Sequence, residues 1–332
     1  MLLKFRDQRQ NPSEDLKGQS RWRRAASPWV AAAIPVLIFL VAVHVYSNEL
    51  LLVDMAIYIA LAQGINIIYG FTGYLPFGYF GFFGVGAYVA GYGIIHWGLS
   101  GPVAVLVGGV GGALAGAILL PLFRLRGAYF ALTTLAAGEA FYAIVSNPSL
   151  TSITNGPYGL NLATAYSSGW SFGMAVGLAG VAILVAALIK RSRYGMTLKA
   201  IKDDPYSAAM AGINVARDRF YAWLIAAAIA GVGGAIYGWA ISVFYPQDVF
   251  DVTVSVFAIV FALFGGIGSI WGPTIGAALL YAIYNVVGVS NPQYFQLIYG
   301  LIIVLLVLFA PRGLAGLMAS IRERRLFGGG AR

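Results

Sequence analysis

The 332 residues include no cysteine, which excludes disulfide frameworks and thiolate metal sites. Histidine is nearly as scarce. His44 and His96 are the two, and neither has a second ligand three or four residues away, so a metal centre has nothing to build on. Charge is thin as well: 10% of residues are Asp, Glu, Lys or Arg against 60% hydrophobic, and the mean hydropathy is +0.80. A soluble domain of this length needs far more polar surface. There is no G-x-S-x-G nucleophile elbow, no G-x-x-x-x-G-K-[ST] phosphate loop and no facing carboxylate pair. The chain is therefore expected to hold no catalytic, cofactor-binding or metal-ligating residues and to be no enzyme. With no phosphate loop present, any ATP and magnesium would have to be bound by another chain.

Basic residues are missing from long stretches and crowded into short ones. Of the 21 Lys and Arg residues, seven lie before Pro28, two are Arg124 and Arg126, seven fall between Lys190 and Arg219, and five run from Arg312 onward. A basic loop resists translocation, so positive charge collects on the cytoplasmic side of a membrane. The net charge of +9 flanks apolar runs, which points to anionic lipid headgroups and cytoplasmic partners and not to nucleic acid. A helix needs about 20 apolar residues to cross the hydrocarbon. That length predicts ten spans, near 29–46, 50–69, 76–97, 101–123, 127–146, 170–189, 219–243, 253–269, 272–289 and 294–310. As a single helix, Val252 to Val289 would be about 55 Å long and would place the arginines after it outside. A break is expected at Gly265–Pro273, where glycine and proline let the backbone turn.

The expected fold is thus an all-α polytopic membrane protein with about ten transmembrane helices in two inverted five-helix halves and a short cytoplasmic helix. Residues 1–28 form a basic cytoplasmic tail, retained and not cleaved as a signal. Residues 29–317 form the membrane domain with a cytoplasmic loop at 190–219, and 318–332 a second cytoplasmic tail. In the loop, Asp203-Asp204-Pro205 reads as a helix start and Gly212 as its stop, giving a short helix near Pro205–Ala211. Its small residues Ala208, Ala209 and Ala211 allow close approach by another protein; an ordinary amphipathic connector reads equally well. The outside segment Asn147–Gly169, rich in Ser, Thr, Asn, Gly and Pro, is expected to be a structured loop or short helix pair.

Spans three and eight occupy matching positions in the two halves, and both are interrupted by glycine and proline. Such pairs point to a transport path. On that ground Phe77, Tyr79 and Phe83, with Gly265 and Gly266, are candidate pathway residues. Gly108, Gly112 and Gly116 of span four read instead as small-xxx-small packing positions. Glu139 lies about twelve residues, or roughly 18 Å, into span five. A charge there is costly unless paired or wetted, so Glu139 joins the pathway candidates, with Thr133 and Thr134 nearby. A hydrogen-bonded tie between helices is the plain alternative. Asp54 lies nearer the surface and reads as interfacial.

Five stretches together carry a family resemblance. Gly73-Tyr-Leu-Pro-Phe-Gly-Tyr-Phe-Gly-Phe-Phe-Gly-Val-Gly-Ala-Tyr88, Arg124–Leu135 continuing to Glu139, Thr154-Asn-Gly-Pro-Tyr-Gly-Leu160, the loop Gly195–Asn214, and Gly265–Pro273 with Pro311-Arg-Gly-Leu314 resemble the permeases of ABC importers for branched-chain amino acids, specifically the M-type subunit. The resemblance implies a permease of the bacterial inner membrane, both termini cytoplasmic. Its partners would be a second related permease, two cytoplasmic ATPase subunits and a periplasmic substrate-binding protein. It assigns ATPase coupling to Lys199, Asp203, Asp204, Pro205, Ala208, Ala209 and Gly212. Thr154, Asn155, Gly156 and Gly159 would face the binding protein. The chain departs from the family where Pro76-Phe77 replaces Ser-Leu, Tyr79 stands where His is common, and Asn155 replaces a Gly. Related permeases for urea or short amides share most of these motifs, and a proton-coupled transporter using Glu139 is the competing class.

Overall fold

The computed structural model describes residues 28–45, 48–165 and 167–290, with single positions at 293, 297, 300, 301 and 304. The basic tail before Pro28, nearly all of the tenth expected span, Pro311–Leu314 and the tail 318–332 lie outside the described residues. Described helices are α1 (Pro28–Val45), α2 (Glu49–Ile65), α3 (Tyr79–Trp97), α4 (Gly101–Ile118), α5 (Ala128–Val145), α6 (Ser168–Arg191), α7 (Arg193–Asp203), α8 (Pro205–Met210), α9 (Val215–Ile241), α10 (Val252–Gly265) and α11 (Trp271–Ser290). Among the described residues, six helical stretches are long and apolar enough to cross a membrane: Glu49–Gly70, Gly101–Ile118, Ala128–Val145, Gly169–Arg191, Val215–Ile241 and Pro246–Gly265.

Helix α9 is the axis of the bundle, with α3, α4, α2 and α6 packed around it. Glycine lets these backbones meet. A Cβ on Gly86 of α3 would lie 2.1 Å from the Gly231 carbonyl oxygen of α9, and one on Gly112 of α4 would lie 2.7 Å from the Gly231 Cα. Nothing larger than hydrogen fits, so dispersion contacts between backbones hold this seam, as expected of small residues at lipid-embedded interfaces. Gly108, Gly112 and Gly116 are indeed packing positions. The glycines at the start of α3 are packing positions too: Gly78, its N-cap, abuts Thr134, Gly81 abuts Gly138, and Gly84 abuts the Phe250 ring.

Two polypeptide breaks are shared by neighbouring helices. Helix α2 ends in a π-turn over Asn66–Gly70, and α10 stops at Gly265 before α11 restarts at Trp271. Gly266 and Gly268 at φ 101° and 78° take a backbone region closed to most side chains, which is why the run can turn here. At the other end of the bundle, Leu160–Asn161 pairs antiparallel with Val243–Phe244. This two-residue ladder ties the loop after α5 to the loop after α9.

Candidate functional site

The elbow between α6 and α9 is built from local capping. Ser192 accepts from the Gly195 amide to start α7, and Asp204 accepts from the Tyr206 amide at 2.9 Å and the Ser207 hydroxyl at 2.6 Å to start α8. Those bonds hold the exposed Asp204 carboxyl below its ordinary value. Gly212 at φ 85° ends the segment. Leu198 and Ile201 bury one face of α7, leaving Lys199 exposed. Ala208 is only 4% exposed and turns inward, so it is not available as a contact surface; Tyr206, Ala209 and Met210, the last 91% exposed, form the outer face of α8. Asp203 is exposed and Pro205 half-buried at the joint. Arg126, from the α4–α5 loop, donates to the Tyr206 hydroxyl at 2.7 Å and lies 4.8 Å over its ring.

The elbow is tied to both breaks. Lys202 Nζ donates to the Gly70 carbonyl at 2.8 Å, and Lys190 Nζ donates to the Gly268 carbonyl at 2.7 Å. Between the breaks stand two polar side chains that sequence reading passed over. Asn66 donates to the Ser269 carbonyl at 2.8 Å and accepts from the Gly268 amide at 2.7 Å. Gln63 donates to the Ile270 carbonyl at 2.7 Å and to the Thr274 hydroxyl at 2.9 Å. Both are fully buried. The signal was present as Gln63 and Asn66 three residues apart on one face of an otherwise apolar run. Gly265 and Gly266 belong to this network; a Cβ on Gly265 would lie 1.9 Å from the Gly272 oxygen.

At the opposite end, Thr154 donates to the Val145 carbonyl at 2.8 Å and closes the loop back onto α5. Asn155 has φ 60°, and its side chain donates to the Gly159 carbonyl. Asn tolerates this left-handed region, so it can stand where a Gly stood without changing the turn. Gly156 and Gly159 also have positive φ, and a Cβ on Gly159 would strike the Phe244 oxygen. Beneath the loop lies an apolar cavity of about 360 Å³ lined by Val85, Tyr88, Val89, Tyr92, Val145 and Leu160, among others.

The candidate pathway residues do not converge. Tyr79 is fully buried and donates to the Ala226 carbonyl at 2.8 Å, a packing contact on α9. Phe77 is half-buried, and Phe83 lines a separate polar cavity. Thr133 donates to the Tyr129 carbonyl of its own helix. Glu139 sits on the exposed face of α5 with Leu132, Ala136, Ala140 and Ala143. Among the described residues no group of three His, Cys, Asp or Glu side chains could hold a metal ion.

Residues 48–307 match the family described as the branched-chain amino acid transport system permease component. The chain is 30% identical over 290 residues to the high-affinity branched-chain amino acid transport system permease protein LivM of Escherichia coli strain K12, covering 78% of this chain and 67% of that one. It is also 30% identical over 294 residues to LivM of Salmonella typhimurium, with 78% and 67% covered. A third relative, the probable branched-chain amino acid transport permease protein LivH of Methanocaldococcus jannaschii, is 24% identical over 298 residues, with 82% and 90% covered. A multi-pass helical chain with such relatives, matched over most of its length, belongs to the branched-chain amino acid permease family of ABC transport systems.

Proposed function

We propose that the chain is the membrane-spanning permease subunit of a bacterial inner-membrane ABC importer, passing branched-chain or related hydrophobic amino acids delivered by a periplasmic binding protein. ATP hydrolysis resides on two separate cytoplasmic subunits, and a second related permease completes the path. In this reading ten helices form two inverted halves, both termini are cytoplasmic, and the short α8 is the coupling helix. The observation that carries it, beside family membership, is the outer face of α8: Tyr206, Ala209 and Met210 project from an elbow locked to the bundle by Lys190 and Lys202. An exposed apolar tip on a rigid mount is what a docking lever requires. The loop 147–165 and its β-ladder supply the seat for the binding protein.

Glu139 supports a second permease better than proton coupling by this chain alone. It lies at mid-helix on a face that the described chain leaves open, and such a charge needs a partner or water at that depth. Pairing α5 with another permease provides either. The test is co-purification with the ATPase: Ala209→Trp and Met210→Glu are expected to release it while membrane insertion stays intact. Full retention in both variants would overturn the docking role. Glu139→Gln is expected to keep ATP-dependent uptake if the residue serves as a hydrogen-bonded tie. Substrate-driven proton flux by this chain alone in liposomes would establish the secondary-transporter reading instead.

A further inference from the structure

A polar cavity of about 230 Å³ lies within this single chain, at the end of the bundle far from the basic elbow. Asp54 and Tyr58 of α2, Tyr237 of α9, Phe257 of α10, and Tyr281 and Tyr284 of α11 line it, with Asp248 and Asp251 from the loop before α10. Tyr237 is 22 residues beyond the start of α9 at the elbow, about 33 Å along the helix. Asp248, Asp251 and Thr253 are exposed and form the mouth; Tyr281 is buried behind them. Asp54, interfacial by its place in the sequence, is the inner acid of this cavity.

Its chemistry is one-sided. Asp54 Oδ2 accepts from the Tyr281 hydroxyl at 3.1 Å, whereas Asp54 Oδ1 is buried and has no hydrogen-bond partner. A buried carboxyl oxygen left unpaired costs about 1–3 kcal/mol, and a donor would complete the position. No Lys or Arg lines the cavity among the described residues, and the mouth adds two more carboxylates. The two exposed carboxylates at the mouth therefore disfavour anions and draw in cations. The walls are aromatic and rigid: Tyr58 stacks on Tyr281 at 5.2 Å and Tyr281 on Tyr284 at 5.7 Å, while Tyr58 meets Phe261 edge-on at 5.5 Å. Hard metal ions want several oxygens at once, and the carboxylates here do not group that way among the described residues. Tyrosine walls with one buried carboxylate suit an organic ammonium group, which gains hydrogen bonds and cation–π attraction together. The volume falls below the roughly 300–1,000 Å³ of pockets for drug-sized ligands.

We propose that this cavity binds a small ligand through its ammonium group, with Asp54 Oδ1 as the acceptor and the tyrosine walls as the cage. Only its physiological role, receiving the amino end of an arriving amino acid, rests on the transport reading. Binding is measured on the full chain alone in lipid nanodiscs, so that either idea can fail without the other. The probes are radiolabelled isoamylamine, a small primary amine, and 4-methylpentanoate, a carboxylate of similar size, in equilibrium dialysis. Saturable amine binding is expected with none for the carboxylate. Asp54→Asn should weaken it by roughly tenfold or more, as loss of a charged acceptor does. Tyr58→Phe should retain most of the affinity and Tyr58→Leu lose it. Thr253→Trp at the exposed mouth should block the amine without disturbing the buried groups, and serves if Asp54→Asn melts early. Absence of amine binding to the unaltered chain, or equal binding in Asp54→Asn and Thr253→Trp chains that melt normally, would overturn the proposal. So would displacement of the amine by equimolar sodium, which would make the site one for inorganic cations.

Discussion

Helices α4 and α5 are neighbours in sequence, equal in length at 18 residues each, and both apolar, yet they are used in opposite ways. Helix α4 presents Gly108 and Gly112 to α3 and α9 so closely that backbone touches backbone, and sets Gly116 against the Ala227 methyl and the Trp223 ring. Helix α5 leans chiefly on α3 and leaves Tyr129, Leu132, Ala136, Glu139, Ala140 and Ala143 open. The first helix buries its glycine face inside the chain and leaves Leu106, Val110 and Leu114 exposed on the other. The second is complete only in company, whether lipid or protein, and its glutamate argues for protein. Hydropathy alone cannot separate them, since each is a span by composition.

The largest effect should come from the sealed side. Gly112→Leu puts side-chain atoms where the Ala227 oxygen and Gly231 Cα already stand, and neither backbone can yield. A loss of more than about 3 kcal/mol is expected, read as a collapse of the melting transition in detergent. An unchanged melt would mean that α4 is held no more tightly than α5. Asn66→Leu should follow, at about 2–4 kcal/mol, because the Gly268 amide and Ser269 carbonyl both lose their partner. Faster hydrogen exchange confined to 266–270 is its signature. Lys202→Met removes one charged donor from a carbonyl at the membrane face and should cost about 1 kcal/mol in melting experiments. On the open side, Ala136→Trp should leave the melt of the isolated chain within about 0.5 kcal/mol. If α5 meets a second permease as proposed, the same change should abolish cross-linking to it; an early melt would show that α5 packs into its own chain at Ala136.

The smallest expected change concerns acid. Asp204 is held below its ordinary value of 3.8 by the Ser207 hydroxyl and the Tyr206 amide. Its cap is thus fully present above about pH 3.8 and is lost as pH falls through the lower folded value. Exchange of the amides at 206–208 should rise relative to those of α7 across that window, with α4 and α5 unaffected.

Much of this architecture could be read from the chain. The apolar runs locate the long helices to within a few residues, since length against bilayer thickness is a strong constraint. The break at Gly266 and the α8 start at Asp204 followed from backbone chemistry that glycine, proline and an N-cap acid make local. What could not be read were meetings between distant residues. Asp54 and Tyr281 stand 227 positions apart, and Gln63 and Thr274 stand 211 apart; no periodicity announces either pair. The glycines of α3 illustrate the same limit, because a small residue beside a cavity and one beside a backbone look alike until the neighbour is known. Ala208 is the local version: small and helical, it could have faced either way, and its burial hands the outer surface to Tyr206 and Met210.

Lys190 and Lys202 reach from one elbow to two separate interruptions in the bundle, and Asn66 stitches those interruptions together. Any force that tilts the elbow must therefore either snap an ammonium away from its carbonyl or drag both interruptions along. In the coupling role proposed for α8, these three short polar links would work as a crank. Push applied at the exposed tip of α8 would then be delivered where the helices are already cut, without having to shear the glycine seam.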